Sequence, residues 1–133
     1  MSGENNLDRL LQNMHPQAQD GSFVFLTSAN GFSEQEQRDA VMLFKEVEGI
    51  TIIIKEELAK ALTTQTPRWA MITLTVRSDL NAVGFLAVIT RKLADAGISV
   101  NPVSAFYHDH LFVPWDKREE AMEILHSFSK KIS

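Results

Sequence analysis

The sequence predicts an α+β fold, a mainly antiparallel sheet with its helices gathered on one face. Three observations lead there. Apolar periodicity over residues 69–128 changes in the order strand, helix, strand, strand, helix. A similar pattern occurs once earlier in the chain. The length of 133 residues, 44% hydrophobic and 23% charged, suits one ordinary domain or two very small ones sharing a core.

The first half reads as follows. Leu7, Leu10, Leu11 and Met14, spaced i, i+3, i+4, i+7, form the apolar stripe of a short helix that Pro16 ends. Gln17 to Ser22 is a polar turn, and Phe23 to Thr27 is a compact apolar run expected to be a buried strand. Residues 28–40 hold Phe32 as their one large apolar side chain, which predicts a loop with at most one helical turn. Val41–Val47 and Ile50–Ile54 are two strands about a Glu48-Gly49 turn. Leu58, Ala61 and Leu62 suggest a short helix, and Thr63–Pro67 a linking loop.

The second half is more regular. Trp69–Arg77 is a strand rich in β-branched residues, followed by a polar turn from Ser78 to Asn81. Gly84–Ala96 is a helix with Leu86, Ile89, Leu93 and Ala96 on one face, and Gly97 follows as its cap. Ile98–Phe106 and His110–Val113 are strands joined through Tyr107-His108-Asp109. Pro114 stops the second strand. Asp116 and Glu119 then open a helix carrying Ala121, Met122, Leu125 and Phe128 on one face. With a right-handed crossover, this order gives a ferredoxin-like (βαββαβ) layout.

The earlier copy runs from Val41-Met-Leu-Phe44 through a turn and a strand to Glu56–Leu62. It echoes Val103-Ser-Ala-Phe106 through Glu119–Leu125, at offsets of 62 (103 against 41) and 63 (125 against 62). Two interlocked units are therefore expected, a degenerate one over residues 1–66 and a second over 67–133. The second lacks a closing strand of its own, and the 23–27 strand is the candidate to complete its sheet.

Composition narrows the function. The formal charge is −4, and the basic residues occur as separated pairs, Arg91-Lys92, Lys117-Arg118 and Lys130-Lys131, which argues against a nucleic-acid partner. The absence of cysteine excludes disulfides and thiolate catalysis and fits a reducing compartment. Met1–Asn6 has no signal-peptide pattern, and no apolar run approaches the roughly 20 residues of a membrane helix, so the cytoplasm is expected. No nucleophile elbow or glycine-rich phosphate loop is present, so neither a catalytic residue nor a cofactor is expected.

Ile72–Val76, then Ser78-Asp79-Leu80-Asn81-Ala82-Val83-Gly84, then Leu93-Ala-Asp-Ala-Gly97-Ile-Ser-Val100 resembles the ACT domain family. Val103–Pro114 resembles more narrowly a bacterial subgroup of tandem ACT-domain proteins. The resemblance implies a regulatory module that binds a small metabolite, commonly an amino acid, where sheets or subunits pair, hence a homo-oligomer. It also implies a ligand site formed by Asp79, Leu80, Asn81, Ala82, Val83 and Gly84, facing Ile98 and Val100.

That turn has a physical case of its own. A helix N-terminus presents unpaired N–H groups and partial positive charge, which suit a ligand carboxylate. Asp79 or Asn81 would pair an amino group, or else would simply cap the helix. His108 and His110 share a strand face and so suggest a metal, although a zinc site needs a third protein ligand. A sensor, a ligand-free interaction module pairing through an edge strand, and a metal-dependent enzyme using His108 and His110 are thus the three functional expectations.

Overall fold

The computed structural model describes residues 6–79 and 82–129, and the chain forms two compact units: residues 1–19 with 70–133, and residues 20–69. Residues 1–19 therefore cluster with the second half rather than with the segment that follows them in sequence.

In the first unit, helix α1 (Leu7–Gln12) starts at Asn6, whose side chain accepts the Arg9 N–H. The helix ends at Gln12 with Asn13 as its C-cap, before Pro16 is reached, and residues 16–18 (Pro16–Ala18) form strand β1, where a turn is expected from the polar sequence. Strand β1 lies antiparallel on β5 (Trp69–Leu74), with Pro16 opposite Leu74 and Ala18 opposite Ile72. Helix α3 (Phe85–Asp95) follows, then strands β6 (Asn101–Ser104) and β7 (Asp109–Pro114), and helix α4 (Arg118–Ser127). The strand order in this unit is β1-β5-β7-β6, with β6 and β7 an antiparallel hairpin.

The alternating residues Ala70, Ile72 and Leu74 of β5 and Leu111 and Val113 of β7 are buried in one cluster. Leu10 and Met14, Phe85, Ile89 and Leu93 of α3, Ile98, and Ala121 and Leu125 of α4 complete it. Gly97, at φ +77°, turns the chain out of α3 in a left-handed conformation that glycine adopts without strain. The start of α4 differs from expectation. Asp116 lies in a 3-10 turn, Trp115–Lys117, and Lys117 is the N-cap with no side-chain hydrogen bond. The Arg118 guanidinium stacks instead 3.8 Å above the Trp115 ring and donates to the Trp115 carbonyl at 2.6 Å.

In the second unit, strand β2 (Phe23–Ser28) leads to helix α2 (Glu34–Asp39), then to strands β3 (Met42–Lys45) and β4 (Ile50–Lys55), in the order β3-β4-β2. The helix is longer than the single turn expected. Ser33 and Glu36 form a reciprocal capping box, which stabilises six polar residues that have no apolar stripe. Conversely, the helix expected around Leu58–Leu62 is only a 3-10 turn at Glu56–Leu58. Val24, Ile52 and Ile54 form this unit's buried cluster. Glu56 accepts from the Ser22 hydroxyl and pairs with Arg68 at 3.1 Å, and these two contacts hold its carboxyl below the usual carboxylate range.

The repeat is present, with a different register. Strand β6 starts 59 residues after β3 (101 against 42), and β7 starts 59 after β4 (109 against 50). The offset of 62 aligned apolar runs rather than strands.

Gly49 closes the β3–β4 hairpin, where Glu46 and Gly49 exchange backbone hydrogen bonds of 2.9 and 3.3 Å. A Cβ there would stand 2.7 Å from the Ser28 carbonyl oxygen and 3.0 Å from the Ala29 Cα, both backbone atoms. Gly49→Ala is expected to cost about 1–3 kcal/mol, as other overpacking does, read as a fall of several degrees in the thermal melt.

Candidate functional site

Helix α3 starts at Gly84, which has φ +88°, lies in the left-handed region and offers no side-chain cap. In most helices a Ser, Thr, Asp or Asn at this place accepts one of the first amides. Gly84 cannot. Phe85, Ile89 and Leu93 anchor the helix in the core, so the first turn is held rigidly. Ala82 donates its N–H to the Asp79 carbonyl at 2.8 Å, a tight turn leading into Gly84.

A cavity of about 150 Å³ opens at this helix mouth. It is lined by Phe85, Leu86 and Ala87 of the first turn, by Ser78, Asp79, Ala82 and Gly84, and by Ser104 and Asp109 of the β6–β7 hairpin. Ser104 and Asp109 are directly paired across the two strands and share a face. Asp109 is 6% exposed and accepts the Ser78 hydroxyl on Oδ2 at 3.1 Å. The cavity thus sets helix amides against a buried carboxylate.

Of the residues expected at the site, Asp79, Ala82 and Gly84 come together in this lining. Val83 is 86% exposed and is not part of it. Leu80 and Asn81 lie outside the described residues. Ile98 is buried in the core, with its N–H on the Leu93 carbonyl, and Val100 packs against the same cluster. The residues facing the helix mouth are instead Ser104 and Asp109. Asp109 had a signal in the sequence. If His108 and His110 share one face of a strand, Asp109 points to the other, together with Leu111 and Val113.

On the face that carries His110, the Gln19 amide donates to Thr73 Oγ1 at 3.1 Å, and Thr73 Oγ1 lies 2.9 Å from His110 Nδ1. The His108 and His110 rings are 6.5 Å apart. Among the described residues no group of three or more His, Cys, Asp or Glu is placed to hold a metal ion. Within the hairpin turn, Tyr107 and Phe106 are exposed, packed edge to face at 5.1 Å, with the Arg77 guanidinium 4.9 Å from the Tyr107 ring.

Two ACT domain family models match the chain, one over residues 2–69 and the other over 65–127. The first alone spans half of the sequence. The chain belongs to the ACT domain family. A solved protein of unknown function from Vibrio cholerae, described as a possible transport protein, is 36% identical over 90% of this ACT chain and 92% of its own length, with a TM-score of 0.76. Two further structures share the ACT fold at 16% identity. One, from Agrobacterium tumefaciens, covers 86% of this chain and 87% of its own at a TM-score of 0.68. The other, a C-terminal regulatory domain of aspartate kinase from Porphyromonas gingivalis, covers 87% and 96% at 0.53. A search of the curated proteins gives no match. ACT domains are typically regulatory modules that bind small ligands, on ferredoxin-like α+β units. No helix among the described residues of this ACT protein is long and apolar enough to cross a membrane.

Burial first, and the neighbouring His108 second, push the His110 imidazole below its ordinary value of 6.5, against the opposing pull of Asp109. The unfolded chain therefore takes up this proton at a higher pH than the folded one. Stability is expected to fall as pH drops through 6.5 toward the folded value, and to level off below it. Thermal melts between pH 5 and pH 8 on wild type and His110→Asn check this: the variant keeps an acceptor near Thr73 but should lose that part of the slope.

Proposed function

We propose that this protein is a regulatory sensor that binds a small metabolite, an amino acid, in the cavity at the α3 N-terminus. The observation that carries the reading is a rigid eleven-residue helix starting at a glycine without a side-chain cap and opening onto a cavity. Its first amides provide a cradle for a carboxylate group. Asp79, Ala82 and Gly84 along the turn form one wall of the proposed site, and Ser104 and Asp109 of the hairpin form the other.

Family membership supports a regulatory rather than a catalytic role. The lining offers carboxylates and hydroxyls but no histidine or lysine among the described residues. A guest would touch the turn, the helix and the β6–β7 hairpin together, so its binding fixes their mutual geometry. The edge strand β6, largely exposed, gives a homo-oligomer a surface through which this change passes to a second subunit in the cytoplasm. The unit over 67–133 carries the site. In the copy over 1–66, the corresponding helix mouth at α2 is closed by its own Ser33 and Glu36.

Titration of the full chain with the twenty L-amino acids, read by thermal melting and calorimetry, tests this. A ligand at about 100 times its Kd should stabilise by roughly 2.7 kcal/mol, a shift of several degrees, with one molecule bound per chain. Ser104→Phe, which fills the cavity from the hairpin side, should abolish the shift. A flat response to every amino acid would leave a ligand-free interaction module as the better description.

A further inference from the structure

We infer that a groove on the helices of the first unit is a self-association surface, where a second copy of this chain docks with each Asp8 against the partner's Lys92. The groove lies between α1, α3 and the end of α4 and has a volume of about 370 Å³. It shares no lining residue with the α3 cavity. On α1 the lining residues Asp8, Leu11 and Gln12 follow i, i+3, i+4 and so occupy one face; on α3 Val88 and Lys92, four apart, do the same. Leu11 and Phe128 pack against the core yet stay half-buried, and Val88 is half-buried too, so the groove presents hydrocarbon to water. Its two charges, Asp8 on the α1 wall and Lys92 on the α3 wall, are exposed. The neighbouring Arg91 is paired with Asp95 at 3.0 Å, whereas neither Asp8 nor Lys92 has an ion-pair partner among the described residues.

A patch that carries one acid and one base is complementary to itself. A two-fold axis bisecting the line from Asp8 to Lys92 sets each Asp8 against the partner's Lys92, and the pair forms twice. The same rotation brings the apolar residues of the two grooves together, helix ridges entering the spaces between helices as hydrocarbon leaves water. The two kinds of contact differ in role. Exposed ion pairs contribute little affinity but fix register and exclude wrong partners, while the apolar floor supplies the attraction. A guest of a single charge sign would be attracted by one wall and repelled by the other. A second copy brings both signs in the arrangement required. A patch of this size gives a weak dimer, with a Kd roughly in the micromolar range.

Analytical ultracentrifugation of the full chain at low ionic strength, from low micromolar to several hundred micromolar, tests the inference. The wild type should dimerise. Asp8→Lys and Lys92→Asp each turn both pairs repulsive, and each should weaken the dimer about 10-fold or more. An equimolar mixture of the two variants should recover association as a heterodimer, because they carry opposite charges at both positions. That recovery also shows that both variants are folded. Val88→Glu, checked by circular dichroism, puts charge into the apolar floor and should abolish the dimer. A wild type that stays monomeric overturns the inference and leaves the groove to another occupant. Charge reversals that leave the dimer intact overturn it as well, and place association on another surface such as the β6 edge. So does a mixture that associates no better than its components. None of these positions lines the α3 cavity, so the outcome does not depend on whether that cavity binds a ligand.

Discussion

Strand β7 carries two kinds of chemistry at a spacing of two, and the first unit is organised around that alternation. Leu111 and Val113 must face the helices to close the core, which directs Asp109 to the same side and His110 to the other. Shifting the register by one residue would turn Leu111 and Val113 out of this cluster and bring His110 and Phe112 into their places. The apolar demand is the stronger, since each fully buried aliphatic side chain contributes about 1.5–3 kcal/mol. The carboxylate follows passively, and its burial is tolerable because Ser78 and the open cavity lie at the hairpin end, where the core stops.

The two helix mouths show how small sequence differences separate a structural copy from a candidate site. Helix α2 begins Ser33-Glu-Gln-Glu36, and serine and glutamate satisfy each other's backbone donors; Lys60 adds a contact to the serine hydroxyl at 3.3 Å. That end is chemically complete. Helix α3 begins at Gly84 with apolar residues after it, so its first turn contributes backbone donors and hydrocarbon but no acceptor of its own. Its position is nonetheless fixed, because Phe85 is already buried.

What was legible in the sequence follows from this. The β3–β4 hairpin, β5, α3 and α4 were all signalled by apolar periodicity, and they are the elements whose buried faces form the cores. Elements held by polar contacts were not. The length of α2 rests on the Ser33–Glu36 box rather than on an apolar stripe, and β1 is polar apart from the pairing of its backbone with β5. The run at Leu58–Leu62 had helical spacing, but only its first residue belongs to a 3-10 turn, Glu56–Leu58. For the site, the turn before α3 was visible as a helix start. Ser104 was not, and Asp109 only through the strand alternation, because both reach the cavity from a hairpin that is distant in sequence from the turn.

The pairing of β1 with β5 joins residue 16 to residue 74, and everything between must be threaded before it can form. As the chain leaves the ribosome, the segment 20–69 has all of its strand partners within reach and can collapse early. The first nineteen residues must wait, unpaired, for material synthesised much later. The entropy lost in closing so long a loop rises only logarithmically with its length, so the arrangement costs speed more than final stability. A fragment ending before β5 would therefore leave the N-terminal strand without the partner it pairs with in the complete fold.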